Sequence, residues 1–200
     1  MKNIYAVLFI LINVPAIAQN QMDLTSAATF QQELNLSFAD SAKSPLEAKD
    51  RALFKSLDFY PIDSKYVVKA NFKRTKNEKP FAMPTTTDRK PMYVKYGELH
   101  FSVEGKLLKL NVYQNVAFTQ NPKYKNSLFL PFTDRTSGNE TYGGGRYIDI
   151  NIPTGKNVTI DFNQAYNPYC AYNKLYSCPI VPQENDLDVE IRAGVKKFHD

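Results

Sequence analysis

The sequence predicts a mainly β, antiparallel domain, a β-sandwich or a partly open barrel, covered by two short N-terminal helices. Three observations lead there. Thirteen tyrosines and thirteen phenylalanines without a single tryptophan favour strands over helices. Apolar residues alternate with polar ones through residues 66–73, 93–113 and 147–163, the period of a sheet with one wet face. Helical spacing is confined to residues 25–57.

Residues 1–18 read as a cleaved secretory signal: an early Lys2, an apolar run, then Ala16-Ile17-Ala18 in the small-x-small pattern that a signal peptidase accepts. The run is about a dozen residues, shorter than the ~18 that a bilayer span requires. The expectation is a periplasmic or secreted chain with no stable membrane span. No cysteine stands at the cleavage point, which argues against a lipoprotein. The remaining chain of roughly 180 residues suffices for one domain with its own core. It divides into a helical segment, 19–62, packing on a β-rich domain, 63–200.

In the helical segment Phe30, Leu34 and Phe38 recur at four-residue spacing and define one face. Ser44-Pro45-Leu46-Glu47 has the form of a capping box with proline at the first helical position. Leu46, Leu53 and Leu57 then share a face until Pro61 ends the second helix. From Tyr66 the period becomes two, with Tyr66, Val68, Ala70 and Phe72 on the apolar side. Residues 76–91 carry three prolines and read as a long loop or an irregular edge.

Residues 93–113 form a hairpin whose register follows from its turn. With Glu104-Gly105 as a two-residue turn, Phe101 faces Leu108, Leu99 faces Leu110 and Gly97 faces Val112, all on one side. The other side then sets His100 against Lys109 and Glu98 against Asn111. A histidine beside a lysine is a poor metal ligand. His199 lies next to the C-terminus, so neither a histidine-rich metal site nor a Ser-His-Asp triad is expected.

A second hairpin is expected about Pro153–Asn157, pairing Ile148, Ile150 and Ile152 with Phe162, Ile160 and Val158. That register opposes Asp149 to Asp161 and Tyr147 to Asn163 on the wet face. Opposed carboxylates repel, unless a nearby cation, a shared proton or solvent relieves them. Its open end collects Arg146, Tyr147, Asn163, Tyr166 and Asn167, with Tyr142 just upstream. Such planar donors and aromatic rings suit a carboxylate, a phosphate or a sugar. Five of the eight glycines fall between Gly138 and Gly155, but Gly143-Gly144-Gly145 leads into a strand rather than a helix. It is therefore neither a phosphate loop nor a dinucleotide fingerprint, and no cofactor is implied.

Cys170 and Cys178 are close enough in sequence to form a disulfide in an oxidising compartment. A catalytic thiol or a metal pair is the alternative. Leu187, Val189 and Ile191 alternate with Asp188 and Glu190 as a last strand. The formal charge of +5 comes from scattered basic residues, which argues against a nucleic-acid footprint.

The segments KYGELHFSVEGKLLKLNVYQ, LFLPFTDRTSGNETYGGGRYIDI and DFNQAYNPYCAYNKLYSCPIVPQEN, with the AGVKKF tail, resemble the bacterial domain of unknown function 1684 family. The resemblance implies a shared signature over residues 142–149, 161–170 and 178–185 and no activity. Three readings follow from the residues themselves. One is a binding module for a small polar or anionic ligand at the Arg146, Tyr147, Asn163, Tyr166, Asn167 cluster. A second is a hydrolase using Asp149 and Asp161, or one of them with Glu140 or Glu184, as an acid and base pair or cation site. The third is a structural envelope protein.

Overall fold

A computed structural model describes residues 16–198, with side chains from residue 26 onward. The signal-peptide expectation rests mainly on residues 1–15, which, like His199, lie outside the described residues. Among the described residues no helix is long and apolar enough to cross a membrane.

The chain is mainly β, an antiparallel sheet curled into a half-barrel. Helix α1 (Ala16–Ala39) and the short α2 (Ala48–Leu53) precede it. The strands are β1 (Val67–Arg74), β2 (Phe81–Ala82), β3 (Met92–Val103), β4 (Lys106–Asn115), β5 (Ser127–Asp134), β6 (Arg146–Asn151), β7 (Asn157–Asp161) and β8 (Asp186–Leu187). Their order is β6-β5-β4-β3-β1-β7, with β2 beside β3, and β8 parallel to β5.

The first hairpin adopts the register its sequence dictates. Phe101 pairs with Leu108, Leu99 with Leu110, Gly97 with Val112 and His100 with Lys109. Glu104 and Gly105 both take positive φ, 49° and 80°, as a two-residue turn matched to strand twist requires. Leu99, Leu110 and Val112 are sealed in the core with Tyr66, Val68, Ala70, Leu128, Leu130, Phe132 and Ile160.

The second hairpin does not form. β6 pairs with β5, from Phe132↔Arg146 to Ser127↔Asn151, and β7 pairs with β1. Alternation correctly marked both segments as strands, but it cannot name a partner, and each pairs elsewhere. Asp149 and Asp161 thus stand on opposite margins of the sheet. The chain leaving β7 nevertheless returns to β6, where Tyr147 and Tyr166 exchange two backbone hydrogen bonds of 2.9 and 3.0 Å. Tyr147 meets Tyr166 rather than Asn163.

The helices differ in detail from expectation. α1 is longer than predicted and turns Phe30, Leu34 and Phe38 toward the domain. α2 begins only at Ala48, after an extended Glu47 that makes no side-chain cap. Ser44 Oγ instead accepts from the Leu46 N–H at 3.3 Å, and Leu46 drops into a cluster with Phe38, Leu57, Tyr172 and Val195. That burial draws residues 45–46 out of helical register. Leu53 is left 82% exposed, so the three leucines do not share a buried face.

Residues 162–198 run as one-turn helices and extended strap over the sheet, with β8 the only strand. Leu187 and Ile191 are buried as their alternation predicts, but the ladder stops after Leu187. Side-chain amides supply what the backbone lacks. β4 and β5 pair at Tyr113↔Phe129, a register that sets Asn111 opposite Pro131, which has no N–H to give. The Asn185 amide fills this gap: its Nδ2 donates to the Asn111 and Pro131 carbonyls at 2.9 and 2.6 Å, and its Oδ1 accepts from Asn111 N at 2.9 Å. Asn185→Leu strands three buried backbone groups at about 1–3 kcal/mol each. Urea denaturation is expected to show a loss of at least ~3 kcal/mol.

Candidate functional site

Consecutive strand residues point to opposite faces, and on β6 this separates the residues that the sequence grouped together. Arg146 and Ile148 enter the core, while Tyr147 and Asp149 face outward beneath α1 and the 166–179 segment.

Arg146 is 1% exposed, which rules it out as a ligand anchor. Its Nη2 donates to Asp134 Oδ2 at 3.2 Å and to the Ile191 carbonyl at 2.8 Å, and its Nη1 donates to the Ala193 carbonyl. Asp134 in turn accepts from the Ile191 N–H at 2.6 Å, from Thr136 Oγ1 at 2.8 Å and from Ser137 Oγ at 3.2 Å. Gly145, at φ 86°, brings the chain into β6 so closely that a Cβ there would lie 2.6 Å from the Phe132 carbonyl.

Asn163 and Asn167 are also buried stitches. Asn163 exchanges two 3.0 Å hydrogen bonds with the Asp63 backbone and also holds Asp161, while Asn167 donates to the Lys196 carbonyl at 2.9 Å. The expected ligand-binding cluster is therefore divided: Arg146, Asn163 and Asn167 stitch the fold, and Tyr147 and Tyr166 reach a cleft.

That cleft encloses about 510 Å³. α1 contributes Phe30 and Leu34, β3 contributes Tyr93, β5 contributes Ser127 and Phe129, β6 contributes Tyr147 and Asp149, and the 166–179 segment contributes Tyr166, Tyr169, Tyr176, Cys178 and Pro179. The rings support one another edge to face. Phe129 and Tyr147 lie 4.7 Å apart at 77°, and Tyr147 and Tyr166 lie 5.9 Å apart at 87°. Tyr147 hydroxyl donates to the Pro179 carbonyl and ties down the far wall.

Asp149 is the single charged side chain among the lining residues. The Tyr166 hydroxyl donates to its Oδ2 at 2.7 Å. Its carboxyl is open to the cleft yet surrounded by protein, and that desolvation raises its pKa above the ordinary 3.8 against the opposing pull of Tyr166. The other acids expected to join it lie elsewhere. Asp161 caps the turn after β7 and accepts from Asn163 and Gln164. Glu140 pairs with Arg192 at 2.9 Å and accepts from the Tyr60 hydroxyl at 3.0 Å. Glu184 is exposed in the one-turn helix Gln183–Asn185. No carboxylate pair converges, and among the described residues no group of three His, Cys, Asp or Glu could hold a metal.

Cys170 and Cys178 are free thiols here, with the Cys170 N–H donating to Cys178 Sγ at 3.1 Å. The thiol hydrogen bond between them lowers Cys170 to about 6 and pushes Cys178 up. Tyr142 lies outside the cleft with its hydroxyl 3.9 Å from Cys170 Sγ, and burial raises its pKa to about 12.

Sequence reasoning missed Phe30, Tyr93, Phe129, Tyr169 and Tyr176. The abundance of aromatic residues was visible, but nothing local distinguishes a ring that lines a cleft from one that fills a core.

Asp149 has a legible effect on stability. Above its raised pKa the folded chain holds a desolvated charge. As the pH falls through that value, the group protonates in the folded state first and the cost disappears, a change complete at 3.8. Asp149→Asn is expected to melt higher than the unaltered protein at pH 7. The difference should shrink as pH falls and level off near 3.8 in melting curves followed by circular dichroism.

The solution NMR structure of an uncharacterized protein of Haloarcula marismortui is similar, at 28% identity and a TM-score of 0.70, covering 90% of this chain and 96% of that one. No curated protein matches the sequence. The family model described as Protein of unknown function (DUF1684) matches residues 52–196, which includes β1 to β8, both cysteines and every cleft residue except those of α1. With that match over most of its length and the three signature segments within it, the chain belongs to the DUF1684 family.

Proposed function

We propose that this protein is an exported small-molecule-binding module whose ligand occupies the cleft between the sheet, α1 and the 166–179 segment. The carrying observation is an aromatic-walled space of about 510 Å³ with a single carboxylate in its wall. Ligand sites are typically concave, mostly apolar and supplied with few polar groups, at ~300–1,000 Å³. Among the described residues the lining has no basic side chain, so the reading moves from an anionic ligand to one with an apolar body and a polar group directed at Asp149 and Tyr166. The hydrolase reading has less support, because no second acid shares the cleft.

A neutral fluorescent probe, 1-N-phenylnaphthylamine, tests the site directly. The expected outcome is saturable fluorescence enhancement at one probe per chain, lost in Ser127→Trp, where a large side chain enters the cleft from β5. Non-saturating fluorescence, or saturation unaffected by Ser127→Trp, counts against the proposal.

Export supplies the second part of the reading, from the apolar run and Ala16-Ile17-Ala18. In an oxidising compartment the Cys170 thiolate attacks a small disulfide and releases one thiol. Cys178 then displaces the other thiol, so both electrons pass to that oxidant as the Cys170–Cys178 bond closes. Cys178 lines the cleft, so the bond would fix one wall. Intact mass of the exported protein is expected to lie two hydrogens below that of the fully reduced chain, and two free thiols on the exported chain would falsify this part.

A further inference from the structure

Asp149 has an unusual setting even for a cleft residue. Across the ladder it faces Phe129, and on its own strand it shares a face with Tyr147 two residues away. Tyr166 donates to it at 2.7 Å, and Tyr93 feels its charge. Phe129 links Tyr93 and Tyr147, with ring centroids 5.7 Å from the first and 4.7 Å from the second. One carboxylate thus stands among four aromatic rings. Among the described residues no lysine, arginine or histidine lines the cleft; the nearest guanidinium, that of Arg89, stands at its margin, where it donates to Ser177.

This carboxylate is exposed to the cleft, and the protein gives it one hydroxyl hydrogen bond and, among the described residues, no ion pair. Aromatic faces are electron-rich and attract cations, most effectively where water is excluded. The missing component is a positive charge supplied from outside the fold. A bare metal ion is a poor candidate, since a single carboxylate offers too few oxygens to replace its hydration shell. A weakly hydrated ammonium carried on carbon fits both the rings and the acid, and the remaining cleft volume accommodates the rest of the molecule.

We propose that the cleft recognises an organic ammonium ion, its nitrogen set against Asp149 and flanked by Tyr93, Phe129, Tyr147 and Tyr166, with its apolar body along the remaining wall. This rests on the reading of the cleft as a ligand site and names the chemical class that site takes.

The experiment is displacement of bound 1-N-phenylnaphthylamine by choline and by 3,3-dimethyl-1-butanol, which has the same shape with carbon in place of the charged nitrogen. Choline is expected to displace the probe at about tenfold lower concentration than the alcohol, the scale of cation–π attraction combined with a facing charge. Asp149→Asn should bring the two competitors to within about twofold, each read against that variant's own probe affinity, and Tyr93→Leu should weaken choline more than the alcohol. Circular dichroism confirms folding, with Asp149→Ser as a second variant at the same position. Equal displacement by both competitors in the unaltered protein, displacement by neither, or a preference that survives Asp149→Asn overturns the ammonium assignment and leaves the cleft as a ligand site. Failure of the probe itself to bind overturns the cleft as a ligand site.

Discussion

The buried pair of Arg146 and Asp134 is the interaction on which this architecture turns. One guanidinium and one carboxylate hold β5, β6 and the strap at Ile191 and Ala193 to a common point. Both side chains are enclosed, so each is tolerable only because the other is present, and removal of one partner from such a pair costs about 3–5 kcal/mol. Three of the hydrogen bonds that fix the strap converge on these two groups, in a region where the ladder has ended. By drawing Arg146 inward, the core leaves Tyr147 and Asp149 on the opposite side of β6, where they face the cleft.

A shared physical theme runs through the C-terminal third. A chain with few strands must still satisfy its buried backbone groups, and here asparagine amides do so. Each carries a donor and an acceptor side by side, the same arrangement that a strand residue presents to its neighbour. Asn163 grips the backbone of Asp63, Asn167 reaches Lys196, and Asn185 bridges Asn111 and Pro131. Their concentration in the signature segments records a structural role, and the aromatic residues between them wall the cleft.

How much of this was legible in the sequence depended on whether the determining contacts were local. The β3–β4 register could be derived because turn chemistry and the apolar pairs from Phe101↔Leu108 to Gly97↔Val112 agreed, up to the shift between Gly97 and Lys95. β6 and β7 were recognisable as strands, but their partners β5 and β1 were set by the closure of the whole sheet. The cluster at Arg146 failed for a simpler reason: adjacency in sequence was read as adjacency in space, although Arg146 and Tyr147 must point apart. Tyr166 was expected beside Tyr147 at the open end of a hairpin, and the two do meet, but through the return of the chain to β6 after that hairpin fails to form. Phe30 and Tyr93 come from distant elements, and their approach to Asp149 was invisible without the fold.

The Tyr147–Tyr166 bridge gives this arrangement one more property. Its two backbone hydrogen bonds join the chain beyond one margin of the half-barrel to the other margin, and the rings of the same two residues form the wall of the cleft. Seam and cleft wall are thus a single element. Whatever steadies or loosens those rings also reaches the seam, and is read as a change in hydrogen exchange at the Tyr147 and Tyr166 amides.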